Sequence, residues 1–313
     1  MTKTAFVFPG QGSQSVGMLD ALTEYSEITT LFEQANDVLG HDILTMVNTG
    51  PADDLNQTQW TQPALLAASV GIYQAISKRS EIQVDVMAGH SLGEYSALVC
   101  AGVMSFEQAI NLVHLRGRYM QQAVPAGTGS MAAVLGLEPV DVETACAEAQ
   151  KSVSGVVSAA NYNSPGQIVI AGEKAAVEAA SALCADKGAK KVMPLAVSVP
   201  SHCALMKPAA EQLSEDLQNI DWQEAKVDVI HNFDVSVHND VAAIKKALMS
   251  QLYSPVRWTE TMQKLQQMSV ETVAECGPGK VLSGLFKRFD RSLTVFPLMN
   301  AKGIEKLLEG LGI

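Results

Sequence analysis

The chain has 313 residues, 47% of them hydrophobic, enough for one large domain or a large domain with a small companion. A net charge of −11 argues against nucleic acid or an anionic membrane surface as a partner. Five scattered cysteines without a C-x-x-C pair fit reduced thiols in a cytoplasm, not a disulfide frame or a metal site.

The N-terminus enters a strand-like run, Ala5-Phe6-Val7-Phe8, with no cleavable signal pattern. No apolar stretch approaches the roughly 18 residues needed to span a bilayer. Ile28, Leu31, Phe32, Ala35, Val38 and Leu39 keep a helical spacing that ends at Gly40, an amphipathic helix with a C-terminal glycine. A second helix is predicted from near Pro63 through Leu65, Leu66 and Ile72 towards Ile76.

The apolar run Val84-Asp85-Val86-Met87-Ala88 then enters Gly89-His90-Ser91-Leu92-Gly93, with helix formers behind it. Strand, G-x-S-x-G and helix together have the form of a nucleophile elbow. The turn leaves no room for side chains beside the serine, whose Oγ is exposed at the helix N-terminus. There the first N–H groups and the helix dipole can stabilise a developing oxyanion. The plain alternative is a serine that merely caps a helix.

Ser105-Phe106-Glu107-Gln108 fits a capping box opening a helix that carries Leu112, Val113, Leu115 and Arg116. The rhythm breaks at the linker-like Pro125-Ala126-Gly127-Thr128-Gly129. Beyond it the pattern predicts a strand (Met131–Leu135), a helix after Pro139, a strand (Val153–Ala160) and a turn at Asn163-Ser164-Pro165-Gly166. A strand (Gln167–Ala171), a helix (Ala175–Lys187) and a strand (Lys191–Val197) complete a βαββαβ order, a ferredoxin-like unit. The first rhythm resumes with strands at Val227–Ile230 and Thr272–Glu275 and a helix opened by Gly277-Pro278-Gly279. The expected fold is therefore α/β. A hydrolase-like parallel-sheet core spans 1–126 and 198–313, with a ferredoxin-like subdomain inserted at 127–197.

A serine hydroxyl needs a base within hydrogen-bond reach, usually histidine. Of the six histidines, His90 adjoins Ser91 and suits a wall of the site, while His41, His114 and His238 lie in helical or turn contexts. His231 ends a strand, without a motif around it. His202 sits in Val199-Pro200-Ser201-His202-Cys203, a stiff turn at the junction between the two units, where a base is expected. Cys203 has no elbow around it. Gly10-Gln11-Gly12-Ser13-Gln14-Ser15 lacks the last glycine of a dinucleotide fingerprint, and Gly277-Pro278-Gly279-Lys280-Val281 lacks the spacing of a phosphate loop.

Several segments, taken together and in order, resemble the malonyl-CoA:acyl carrier protein transacylases of the free-standing bacterial type. They are Phe8-Pro9-Gly10-Gln11-Gly12-Ser13-Gln14, Gly89-His90-Ser91-Leu92-Gly93-Glu94-Tyr95 and Tyr162-Asn163-Ser164-Pro165-Gly166-Gln167. Val199-Pro200-Ser201-His202, Gln251-Leu252-Tyr253-Ser254-Pro255-Val256-Arg257-Trp258 and Gly277-Pro278-Gly279 complete the set, so the likeness covers nearly the whole chain. The resemblance implies that Ser91 is the nucleophile and His202 the base. The main-chain carbonyl of Gln251 would orient the imidazole, and the N–H groups of Gln11 and Leu92 would form the oxyanion hole. Arg116 would clamp the malonyl carboxylate, with His90 and Asn163 lining the pocket; Arg118 reads as an exposed helix arginine. No metal and no cofactor are implied, since the coenzyme A thioester is itself a substrate.

The expected partners are malonyl-CoA and an acidic acyl carrier protein. The carrier needs a local basic patch on an acidic enzyme. Lys187, Lys190 and Lys191 form one candidate, and Lys280, Lys287 and Arg288 the other. The triplet Val199-Pro200-Ser201 differs from the form that related polyketide domains use for malonyl, which leaves a branched malonyl unit open. Two rival functions fit the sequence less well. An α/β-hydrolase esterase orders its triad serine, acid, histidine with the histidine near the C-terminus, unlike His202. A carrier-binding module without chemistry would not need the nucleophile, base and oxyanion set.

Overall fold

The computed structural model describes residues 3–125, 127–197 and 199–313. Strand β1 (Lys3–Phe8) leads to helices α1 (Ser26–Leu39), α2 (Ile43–Thr49), α3 (Ala52–Leu55) and α4 (Thr58–Ser77). Strand β2 (Val86–Gly89) is followed by α5 (Leu92–Cys100) and α6 (Phe106–Ala123). Next come β3 (Gly129–Leu135), α7 (Pro139–Val153), β4 (Val157–Ser164), β5 (Gln167–Glu173), α8 (Lys174–Asp186) and β6 (Lys191–Pro194). The remainder is α9 (Lys207–Asp216), β7 (Asp228–Ile230), α10 (Val241–Tyr253), α11 (Trp258–Gln267), β8 (Val270–Glu275), α12 (Val281–Phe289), β9 (Thr294–Pro297) and α13 (Ala301–Leu311).

The strands form two sheets. One is fully parallel, in the order β7-β2-β1-β8-β9. Its strands are covered on both faces, which is why they read as unbroken apolar runs rather than alternating ones. Phe6, Phe8, Met87 and Ala274 pack into the core on one side, and Ala5, Val7, Ala88 and Val273 into the core on the other. The second sheet is antiparallel, in the order β4-β5-β3-β6. One face, with Val134, Ile168 and Ile170, packs on α7 and α8. The other, with Met131, Ala133 and Val169, packs against Cys203. The α/β class and the βαββαβ order are as expected. The expected junctions fall at Ala126 and Ser198, which lie outside the described residues. Among the described residues no helix is long and apolar enough to cross a membrane.

Several boundaries differ from expectation for local reasons. Helix α4 starts at Thr58, so Pro63 lies inside it rather than at its head. A proline there frees the carbonyl four residues earlier. That carbonyl, of Gln59, is engaged instead by His114 Nδ1 at 3.0 Å. Val153 ends α7 rather than starting a strand: Ser154 takes a left-handed conformation as the cap, and β4 runs from Val157 to Ser164. Asn163 therefore sits in β4, not in a turn. Strand β6 stops at Pro194, leaving Leu195 and Val197 as loop residues. Helix α12 begins at Val281, after the glycines, and its first N–H groups are capped from a distance. The buried Glu275 carboxylate accepts from Leu282 N at 2.9 Å and Ser283 N at 2.7 Å.

Candidate active site

Parallel strands deliver their following loops to one edge of the sheet, where adjacent strands β1 and β2 bring Gln11 and Ser91 together. The elbow requires strand and helix to touch backbone to backbone. A Cβ on Gly89 would stand 1.9 Å from the Gly93 carbonyl carbon, and one on Gly93 would stand 2.0 Å from the Phe8 oxygen. Ser91 is held at φ 53° and ψ −106°, a conformation costing on the order of 1–3 kcal/mol. A side chain missed by the sequence reading pins it there: Asn232 Oδ1 accepts from Ser91 N at 2.7 Å, and Asn232 Nδ2 donates to Gly89 O at 2.7 Å.

His202, also at positive φ, lies 2.8 Å from Ser91 Oγ through Nε2. Its Nδ1 is 2.7 Å from the Gln251 carbonyl, and its backbone N–H donates to Leu252 O at 3.0 Å. Both carbonyls belong to the last turn of α10 and have no acceptor role within the helix. Because a carbonyl can only accept, Nδ1 carries the ring proton and Nε2 is left to accept from the serine. Burial, then the nearby Arg116 charge, push the His202 pKa down to about 3, opposed by its bond to Gln251. The ring is thus neutral at ordinary pH, with its Nε2 lone pair free to accept.

Arg116 is 1% exposed, on the inner face of α6. Its Nη1 donates to Gln62 Oε1 at 2.8 Å, and its Nη2 donates to Gln251 Oε1 at 2.9 Å and Ser91 Oγ at 3.2 Å. Two amide oxygens and a hydroxyl hold it. Among the described residues no carboxylate forms a salt bridge with it. A buried guanidinium is normally paired with an acid; the hydrogen-bond partners of this one are neutral.

These side chains line one cavity of about 180 Å³ between the two sheets, with Gln11, Leu92, His90, Asn163, Leu195, Val199 and Leu285 among its walls. His90 Nε2 is 2.8 Å from Asn163 Oδ1, and burial lowers its pKa. The Gln11 side chain turns to Thr58 Oγ1 at 3.4 Å. The backbone N–H groups of Gln11 and Leu92 donate to no acceptor among the described residues. His231 lies behind the elbow, and Arg118 is exposed. Cys203 is buried, its Sγ 3.1 Å from Pro200 O, and burial raises its pKa to about 11. Among the described residues no group of three or more His, Cys, Asp or Glu side chains is placed to hold a metal.

Fold and cavity fit an α/β acyltransferase, and the likenesses of the chain narrow that class. Residues 5–299 match the acyl transferase domain family. A malonyl CoA-acyl carrier protein transacylase of Haemophilus influenzae is 58% identical over 290 residues, 92% of each chain. An acyl carrier protein S-malonyltransferase crystal structure from Vibrio cholerae superimposes with TM-score 0.94 at 53% identity, covering 98% of this chain and 100% of that one. A malonyl-transacylase solved in complex with its type II PKS acyl-carrier protein gives TM-score 0.97 at 49% identity, over 99% and 100% of the two chains. The chain belongs to the malonyl CoA-acyl carrier protein transacylase family.

The depressed His202 pKa has a measurable sign. Falling pH protonates this histidine in the unfolded chain near 6.5 but not in the folded one, where the value is about 3. Labelling of Ser91 by a fluorophosphonate should therefore stay flat down to about pH 5, with no inflection near 6.5. Over the same range the urea midpoint should fall, because the unfolded state takes a proton that the folded state refuses. A labelling inflection near 6.5 would mean that His202 is solvated.

Proposed function

We propose that the chain transfers malonyl from malonyl-CoA to the phosphopantetheine thiol of an acyl carrier protein, through an ester on Ser91, for fatty acid assembly. The observation that carries this reading is the buried Arg116 guanidinium, in no salt bridge among the described residues and 3.2 Å from the Ser91 hydroxyl. A planar cation of this kind suits the free carboxylate of malonyl. An acetyl group would leave it unpaired, which gives selectivity.

The geometry supports the following cycle. His202 takes the Ser91 proton as Oγ attacks the thioester carbonyl. The oxyanion forms against the N–H groups of Gln11 and Leu92, each such donor lowering the barrier by about 3–4 kcal/mol. The C–S bond then breaks, the imidazolium returns its proton to the departing coenzyme A thiolate, and malonyl remains esterified to Ser91. The carrier thiol gives its proton to His202, attacks the ester, and the collapse restores the Ser91 hydroxyl. No metal or redox cofactor enters this balance. On this reading residues 1–126 and 198–313 form the catalytic subdomain and 127–197 the small one, with the cavity between them. The five free cysteines suit a reducing, cytoplasmic setting.

Carrier docking is assigned to one rim of that cavity. Gln167, Leu135 and Lys191 lie in one row across β5, β3 and β6, on the face away from α7 and α8. Arg288 Nη1 donates to Gln167 Oε1 at 2.6 Å, so the two basic clusters converge there through Lys191 and Arg288. Val281, 51% exposed, adds an apolar contact at the cavity mouth. Lys187 faces Glu148 at 3.7 Å, which weakens its claim to the patch.

Malonyl-CoA should leave a malonyl adduct on Ser91, detectable by peptide mass spectrometry, and Ser91→Ala should abolish both adduct and transfer. An adduct on Cys203 instead would overturn the covalent route.

Arg116→Ala should lower malonyl transfer about 10- to 100-fold while acetyl transfer is kept or gained. Equal loss for both acyl groups would make Arg116 a purely structural residue.

Lys191→Glu combined with Arg288→Glu should raise the KM for carrier protein. The effect should be greatest at low salt, since screening sets in over about 10 Å at 0.1 M. Adduct formation from malonyl-CoA should be nearly unchanged. Wild-type carrier kinetics at low ionic strength would remove this rim as the docking surface.

A further inference from the structure

Behind the elbow lies a carboxylate that the cycle does not use. Glu94, in the first turn of α5, is fully buried. Its Oε1 is 2.7 Å from His231 Nδ1, and its Oε2 accepts from Asn232 N at 2.9 Å and Gln251 Nε2 at 2.8 Å. Gln251 Nε2 also donates to Ser91 O at 3.0 Å. The amide nitrogen of Gln251 is thus held between two acceptors.

That fixes the other end of the amide. With its nitrogen on Glu94 and Ser91 O, Gln251 must present Oε1 to Arg116, and it does so at 2.9 Å from Nη2. The terminal torsion of a glutamine is broad and roughly two-fold, so an unrestrained amide can turn over. Turned over, it would set NH2 against guanidinium, donor against donor, and Arg116 would lose one of its two amide anchors.

We propose that Glu94 is a positioning residue for malonyl recognition: by locking the orientation of the Gln251 amide it aims the Arg116 guanidinium at the acyl carboxylate. The amide between them has a second effect. It keeps the carboxylate from bonding the guanidinium directly, so Glu94 acts on Arg116 only at a distance and leaves its Nη2 to neutral partners. The hold of Gln251 on His202 is separate, since it runs through the main-chain carbonyl and the end of α10.

The inference rests on the malonyl-transfer reading, and its test separates the two. Rates of Ser91 acylation by malonyl-CoA and by acetyl-CoA are compared by mass spectrometry, alongside fluorophosphonate labelling. Glu94→Ala should lower the malonyl-to-acetyl preference at least about tenfold, with labelling little changed. Glu94→Gln, which keeps one oxygen for Gln251 and Asn232, should recover most of the preference. Gln251→Met, which removes the amide but leaves the carbonyl for His202, should lose the preference to the same degree. It supplies the measurement if Glu94→Ala does not fold. Equal loss of malonyl, acetyl and probe reactivity in Glu94→Ala would mark Glu94 as a general support of the elbow and overturn the proposal. Full preference in Gln251→Met would overturn it as well. Absence of a malonyl adduct in the wild type would overturn the transfer reading, and this inference with it.

Discussion

A positive charge buried without a salt-bridge partner among the described residues is the constraint around which the site is arranged. Isolated ions in a protein interior are costly, and the usual remedy is a carboxylate. Here the remedy is partial: two amide oxygens, a serine hydroxyl, and the Tyr95 ring 5.3 Å away. These partners satisfy donors without cancelling charge. The consequences spread outward. His202 and His90 are kept neutral, each by burial first, with the Arg116 field adding to the effect on His202. The one fully buried acid nearby, Glu94, stands behind Gln251 rather than against the guanidinium.

Packing at the elbow supplies the rigidity that such an arrangement needs. Because β1, β2 and α5 meet at backbone distance, Ser91 cannot relax out of its unusual conformation without separating the strand from the helix. Asn232 locks the same turn from the loop that follows β7, the next strand of the sheet. The antiparallel sheet is tied in by main-chain bonds: Tyr162 N donates to Val256 O and Val256 N to Ala160 O, both at 2.9 Å. Asn163, which orients His90, is therefore one residue from a rigid seam. The same connection leads back along the chain to Gln251.

Much of this was legible in the sequence because it is local. The elbow is five consecutive residues, the cap of α6 spans four, and the βαββαβ rhythm follows from periodicity alone. His202 could be singled out by its proline-stiffened turn, whereas the part of Gln251 came only from the family resemblance. Glu94, His231 and Asn232 carried no signal of their own. Their contacts join residues 137 to 157 positions apart, and only the folded sheet brings them together. Glu94 reads as an ordinary first-turn acid on a helix, and His231 as a strand end. The start of α4 was misplaced for a related reason: a proline suggests a helix head until a distant histidine satisfies the carbonyl that it frees.

The absence of an acid beside His202 follows from the same electrostatics. An acid hydrogen-bonded to Nδ1 would bring a full negative charge close to Arg116, and the resulting pair would compete with any substrate carboxylate. The C-terminal turn of α10 does the orienting work with less charge. Its carbonyls fix the tautomer, and the helix end carries about half a negative charge to stabilise the transient imidazolium. Histidine and arginine can then share one buried site: the first is oriented by dipoles and the second by amides, and among the described residues neither has a carboxylate hydrogen-bonded to it.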